Sequence, residues 1–313
     1  MFMLLVFAAS CSDGGSADHS GKSPDGTGAS GNSQTKNTSM RTAGQEKALE
    51  ATTGVASTTK STDSSMSARV SAAGSTEGPF VASPEMSGGS GSAADTLLAV
   101  RYGTHEDYER VVLDLGTGSD AASALPAWSL MSPTGDGLLR VKLTSVSATR
   151  VSDGKFGDVL LKNFHVVRGP DGGMFVDIFA SKAFTYRVIE LENPARLAVD
   201  FKTSDMPLGM PLPVEGGKTI LTEPRSGARL STPVTVSGYS RNFEAANTIT
   251  LTDSKGKEIA HKTVQSNDWS ATWGYFEATL DLPSFSGKGT LRVGTQSARD
   301  GTFEGVEIPV RGS

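Results

Sequence analysis

The chain has 313 residues, length enough for about two ordinary domains, yet only 37% are hydrophobic and its 36 glycines outnumber its 34 acidic residues. A long part of it must therefore lie outside any packed core. A net charge of −5 with 29 Lys and Arg offers no electrostatic footprint for nucleic acid, and one cysteine excludes an internal disulfide framework or a multi-cysteine metal site.

Residues 1–11 read Met-Phe-Met-Leu-Leu-Val-Phe-Ala-Ala-Ser-Cys. The apolar run Met1–Ala9 is too short to cross ~30 Å of hydrocarbon as a helix. It fits the apolar core of a secretory signal peptide. No Lys or Arg precedes Lys22, which places the expected translation start upstream. Ala8-Ala9-Ser10-Cys11 resembles the lipobox of bacterial lipoproteins. That resemblance implies a lipid attachment site at Cys11: the sulfur takes a diacylglycerol and the cysteine becomes the new N-terminus. The implied location is extracytoplasmic, anchored to the membrane and facing the cell wall. Anchoring by two or more acyl chains is far firmer than by one.

Residues 12–94 are expected to be a disordered tether. Of residues 12–93, 52 are Ser, Thr, Gly or Ala and five are Leu, Ile, Val, Phe, Tyr or Trp, too few to offset the entropy of ordering the backbone. A short helix at Gln45–Ala51 would be marginal alone. As a flexible coil this segment has an end-to-end distance of about 50 Å, the reach a membrane-tethered module needs to enter a wall. Its Ser/Thr density is compatible with O-glycosylation. Ser33-Gln-Thr-Lys36 and Ser57-Thr-Thr-Lys60 spell Ser-x-x-Lys, but in so serine-rich a stretch such matches arise by chance. The phosphate-loop lookalike Gly15–Ser23 has its glycines one residue too far apart and no strand before it.

Composition changes at Thr96, and residues 95–206 show strand periodicity. Leu98, Val100 and Tyr102 alternate with polar or small neighbours; Val111, Leu113 and Leu115 oppose Arg110 and Asp114; Leu139, Val141 and Leu143 oppose Arg140 and Lys142. The apolar runs Val159–Val167 and Met174–Ala180 flank Pro170-Asp171-Gly172-Gly173, a hairpin signal. Phe184–Leu191 and Arg196–Phe201 follow. Arg110-Val-Val-Leu-Asp114 and Arg196-Leu-Ala-Val-Asp200 share one pattern, with Arg and Asp on the face away from the core. If the two strands pair antiparallel, each Arg meets the other's Asp. Arg101–Val112 and Asn193–Phe201 resemble the AMIN-like domain of secreted bacterial lipoproteins. The resemblance implies a small β-sandwich that binds the envelope, and it supplies no ligand residues. His105, beside Glu106, Asp107 and Glu109, has no second histidine at ligand spacing and reads as a solvated turn. His165, inside an apolar strand, reads as a satisfied core histidine.

Residues 207–218 hold prolines and glycines and read as a short, stiff linker. From 219 to 313 the alternation resumes: Val234 and Val236; Ile249 and Leu251; Phe276, Ala278, Leu280 and Leu282; Leu291 and Val293; Val306, Ile308 and Val310. Turn signals fall at Lys255-Gly256, Ser286-Gly287 and Asp300-Gly301, which together read as an immunoglobulin-like sandwich. Glu223-Pro224, Pro233–Gly238, Asn242-Phe243-Glu244, Trp273–Phe276 and Ala298–Gly301 resemble the immunoglobulin-like domain named after bacterial spore-germination proteins. Trp269, Trp273 and Tyr275 are candidates for a sugar-stacking platform, with at least one expected in the core.

The expected fold class is all-β, two β-sandwich domains in tandem behind a disordered tail. No Gly-x-Ser-x-Gly elbow or His-Glu-x-x-His motif occurs. The expectation is a non-enzymatic lipoprotein with no catalytic, metal or cofactor-binding residues. Its expected partners are the membrane through Cys11 and a cell-wall glycan or an envelope protein. The alternatives are a scaffold for secretion or wall-remodelling enzymes, or a wall hydrolase of unrecognised type.

Overall fold

The computed structural model describes residues 78–83, 85–89, 91, 94–132, 137–157 and 159–312. Cys11, the two Ser-x-x-Lys matches, the phosphate-loop lookalike and the Gln45–Ala51 helix lie outside the described residues. The described chain is almost entirely strand. The first module contains β1 (Glu85–Gly88), β2 (Thr96–Thr104), β3 (Glu109–Thr117), β4 (Asp120–Ala121), β5 (Trp128–Met131) and β6 (Leu138–Leu143). It continues with β7 (Ala148–Thr149), β8 (Asp153–Lys155), β9 (Leu161–Arg168), β10 (Met174–Ala180), β11 (Phe184–Leu191) and β12 (Arg196–Thr203). The second contains β13 (Val214–Gly216), β14 (Thr219–Glu223), β15 (Arg229–Leu230), β16 (Val234–Ser240) and β17 (Ala246–Asp253). β18 (Glu258–Gln265), β19 (Trp273–Leu280), β20 (Gly287–Gln296) and β21 (Phe303–Gly312) complete it.

Each module is a sandwich, and one sheet is common to both. A ten-stranded sheet runs β1-β5-β6-β10-β9-β19-β16-β14-β13, with β8 also on β9. The first module closes it with β11-β12-β3-β2-β7, to which β4 adds, and the second with β15-β21-β20-β17-β18. The cores follow the period-2 pattern. Val111, Leu113, Leu115, Leu139, Val141 and Leu143 are buried in the first. Ile249, Leu251, Phe276, Leu291, Val293, Val306 and Ile308 are buried in the second. One expected inward position moves. A bulge at Leu97–Ala99 shifts the register, so Leu97 is fully buried and Leu98 lies against Gly116.

The seam between the modules is the parallel pairing of β9 with β19, Val167 opposite Trp273 and Arg168 opposite Gly274. There the back faces of the two half-sheets turn toward each other. Leu138, Val167, Phe175 and Phe179 pack against Ile220, Tyr239 and Trp273 in a third buried cluster. Fully burying each such side chain contributes about 1.5–3 kcal/mol. Two expectations are corrected here. Residues 207–218 are not wholly a linker, because Val214–Gly216 forms β13 and pairs with β14. Arg140, expected to point outward, is only partly exposed, at 27%. Its guanidinium grips the fully buried Asp177 at 2.7 and 2.8 Å and lies over the Phe175 ring at 3.9 Å, on the back face. Burial alone would favour the neutral form of Arg140, but Asp177 reverses that and holds it charged.

The disorder expected up to residue 94 does not hold for residues 80–83 and 85–88. Val81 exchanges both backbone hydrogen bonds with Tyr186, at 2.8 and 2.9 Å, and the Tyr186 hydroxyl donates to the Ser83 carbonyl. β1 then pairs with β5. Edge pairing and one aromatic ring, Phe80 over the Arg187 guanidinium at 4.8 Å, order a segment whose composition is otherwise that of a coil.

Strands β3 and β12 do pair antiparallel, with Arg110 opposite Asp200 and Asp114 opposite Arg196. Arg110 forks onto Asp200 at 2.5 and 2.9 Å, and Arg187 adds a third bond at 2.7 Å. The second expected pair does not form. Asp114 is taken by Arg101 from the neighbouring strand at 2.5 and 2.7 Å, and Arg196 turns back to the Pro194 carbonyl. Asp200, though on the outer face, is fully buried, because Tyr108 and Phe80 roof the two guanidinium groups.

Candidate functional site

Two loops of the second module converge beside the seam. The first follows β16. Asn242 leads into a 3-10 turn, Phe243–Ala245, in which Glu244 and Ala245 have φ of 54° and 59°. Positive φ at successive non-glycine residues costs on the order of 1–3 kcal/mol each. A buried amide network holds the turn. Asn242 Nδ2 donates to Thr219 Oγ1 at 2.9 Å and to Asn247 Oδ1 at 2.8 Å, and Asn247 Nδ2 donates to the Ala245 carbonyl at 3.0 Å. The outcome is to hold Phe243 at 69% exposure.

The second loop precedes β19. Asp268 Oδ1 accepts the backbone N–H groups of Trp269, Ser270 and Ala271 at 2.7, 3.0 and 3.2 Å. Its Oδ2 accepts Arg168 Nε of the first module at 3.0 Å. Burial opposes ionisation of Asp268, but these four donors more than offset it and hold its carboxyl below the usual range. Gly274 lets the loop fold this tightly, since a Cβ there would run into the Asp268 backbone. Trp269 is thereby set 39% exposed, with its ring 5.2 Å from Phe243 at an interplanar angle of 72°.

The pair borders a cleft of about 610 Å³ whose other walls include Glu215, Lys218, Arg241 and Trp273. Arg241 ties the modules together, donating to Ser152 Oγ at 3.0 Å and the Ser270 carbonyl at 3.3 Å, with Asp153 at 3.5 Å. Asp153 also accepts Trp273 Nε1 at 3.1 Å. Burial disfavours its charge, yet the Ser152 and Trp273 hydrogen bonds lower its pKa on balance. Such a surface offers apolar ring faces and edges for the C–H face of a sugar, flanked by fixed donors and acceptors. Among the described residues, no group of three or more His, Cys, Asp or Glu is placed to hold a metal ion.

The three aromatic candidates separate. Only Trp269 is presented to solvent. Trp273 is buried at the seam, edge-on to His165 at 4.7 Å. Tyr275 is half-buried on the back face and donates to Glu277 at 2.5 Å, its pKa pushed up to about 12 by burial and that bond. Phe243, the partner of Trp269, was not among the candidates. Nothing in Asn-Phe-Glu-Ala marks a positive-φ turn, because glycine and asparagine are missing from the strained positions. His105 is an exposed residue stacked on Tyr108 at 4.3 Å. His165 is a core histidine, but not a satisfied one. Its Nδ1 has no partner among the described residues, Nε2 meets only Asn163 at 3.3 Å and Glu215 at 3.9 Å, and burial lowers its pKa.

Among the described residues no helix is long and apolar enough to cross a membrane. The chain matches no curated protein. Residues 220–302, which carry both loops of the cleft and all of β16–β20, match the immunoglobulin-like domain of bacterial spore germination.

Proposed function

We propose that the protein is a non-enzymatic cell-envelope lipoprotein, anchored through Cys11, whose two β modules act as one rigid binder of cell-wall polymer. The observation that carries this reading is the exposed Phe243–Trp269 pair, held by a strained turn and an aspartate-capped loop over a cleft at the module seam. The strain at Glu244 and Ala245 sits beside the exposed Phe243, and a role for that ring in recognising sugars accounts for it. The immunoglobulin-like match supports a β module that binds rather than catalyses. The first module, AMIN-like by its sequence resemblance, supplies Arg168, Ser152 and Asp153 to the same place.

Two measurements test this. Full-length protein is expected to be retained on purified sacculi, and Phe243→Ala/Trp269→Ala to lose about tenfold or more in affinity, near the 1–3 kcal/mol of two stacking contacts. Unaltered retention by the folded double variant would remove the site. Separately, cells fed labelled palmitate are expected to label the wild-type chain and not Cys11→Ala. An unlabelled wild type would remove the anchor.

A further inference from the structure

The seam carries a second cleft, of about 470 Å³, lined by Lys155, Lys162, Asn163, Phe179, Leu212 and Glu215. Glu215 is in the wall of both clefts, so the two run on from one another across the boundary between modules. Four cations border the combined groove: Lys155 and Lys162 from the first module, Lys218 and Arg241 from the second. The three lysines are exposed and have no ion-pair partner among the described residues. Some cations of the same modules are engaged, as Lys142 is with Asp171 at 2.8 Å and Arg168 with Asp268 at 3.0 Å.

One acid, Glu215, stands in the wall of both clefts, and Asp153 lies beside them against Arg241. Glu215 accepts Asn163 Nδ2 at 3.1 Å, and Asp153 accepts Ser152 and Trp273 besides facing Arg241. The four cations outnumber these two acids, an excess of positive charge on a chain whose net charge is −5. A local excess of one sign of charge concentrates the counter-ion. Both modules contribute to the paired clefts, and the aromatic pair lines the first of them. Two cations line each cleft, so the charge is divided between two adjoining sites instead of gathered at one, a layout that suits repeating charges better than a single small anion.

We infer that the groove takes a linear anionic wall polymer: repeating phosphodiester or carboxylate groups lie along Lys155, Lys162, Lys218 and Arg241, and a sugar or polyol unit packs on Phe243 and Trp269. This rests on the wall-binding reading above and adds the chemical class of ligand to it. Ammonium groups on flexible stems suit a polymer whose charges are mobile, because they meet anions as point charges without a fixed fork geometry.

The test uses the full-length chain on Gram-positive sacculi, either native or stripped of phosphodiester-linked polymers with hydrofluoric acid. Lys155→Glu/Lys162→Glu reverses two groove charges at exposed positions and is expected to leave the melting temperature unchanged. Its affinity for native sacculi is expected to fall about tenfold or more, and wild-type binding to weaken similarly between low salt and 0.5 M salt (roughly a 4 Å Debye length). Lys255→Glu/Lys257→Glu, on a distant exposed hairpin, is the charge-matched control and is expected to bind as wild type. Loss on stripped sacculi identifies phosphodiesters as the ligand charges; groove-dependent binding that survives stripping identifies the carboxylates of the stem peptides. Wild-type affinity in the groove variant, or equal loss in the hairpin control, overturns the inference while leaving wall binding intact. No retention of wild type on either sacculus overturns both.

Discussion

Trp273→Ala is expected to divide the thermal unfolding of residues 78–313 into two transitions where the wild type shows one. The indole is the centre of the seam. It packs among Tyr239, Phe179 and Val167, meets His165 edge-on, and donates from Nε1 to Asp153. Removing a buried indole costs about 3–5 kcal/mol. Here the loss falls on the contacts that couple the modules, while both module cores stay intact. Coupling of that size is what makes two sandwiches unfold together, so its removal separates them. Calorimetry reads the number of transitions, and proteolysis between residues 204 and 213 reads the opening of the seam. A single transition within about 2 °C of wild type would show that the modules are coupled elsewhere.

The second large effect is expected on the opposite sheet. Asp200→Asn keeps the shape of the side chain and removes a fully buried charge that accepts Arg110 and Arg187. Breaking a buried ion pair from one side costs about 3–5 kcal/mol, since the remaining charges stay desolvated. A fall in melting temperature of roughly 6–12 °C or more follows for a chain of this length. Asp114→Asn is the internal comparison. It has the same partner type and similar bond lengths, but Arg101 is 54% exposed, so about 0–1 kcal/mol is expected. Equal shifts in the two variants would mean that burial does not set the value of these pairs.

Both residues show where sequence periodicity carries information and where it stops. Alternation along β3, β6, β19 and β21 marks which face meets the module's own core, and that face is placed correctly almost throughout. It does not say whether the other face is covered. His165 and Tyr239 stand on the second face and are enclosed where the two modules fold onto each other. One signal of this was available. Met174–Ala180 is apolar on both faces, with only Asp177 interrupting it, as strands buried on two sides are. The Arg–Asp echo predicted Arg110–Asp200 and missed that Arg101, on a third strand, reaches Asp114 first. Pairwise patterns between two strands carry no term for a third. The binding surface was the least legible part. Trp269 is visible as a candidate, but Phe243 is raised by backbone angles that no residue type in its turn announces.

The shared sheet has one mechanical consequence. Counted along the hydrogen-bonding direction, β1, which follows the Val81–Tyr186 bridge, and β19, beside the aromatic cleft, are five strand spacings apart, roughly 24 Å. Every step between them is a backbone ladder. A tug on β1 therefore reaches β19 as through a girder, with no swivel between them to dissipate it.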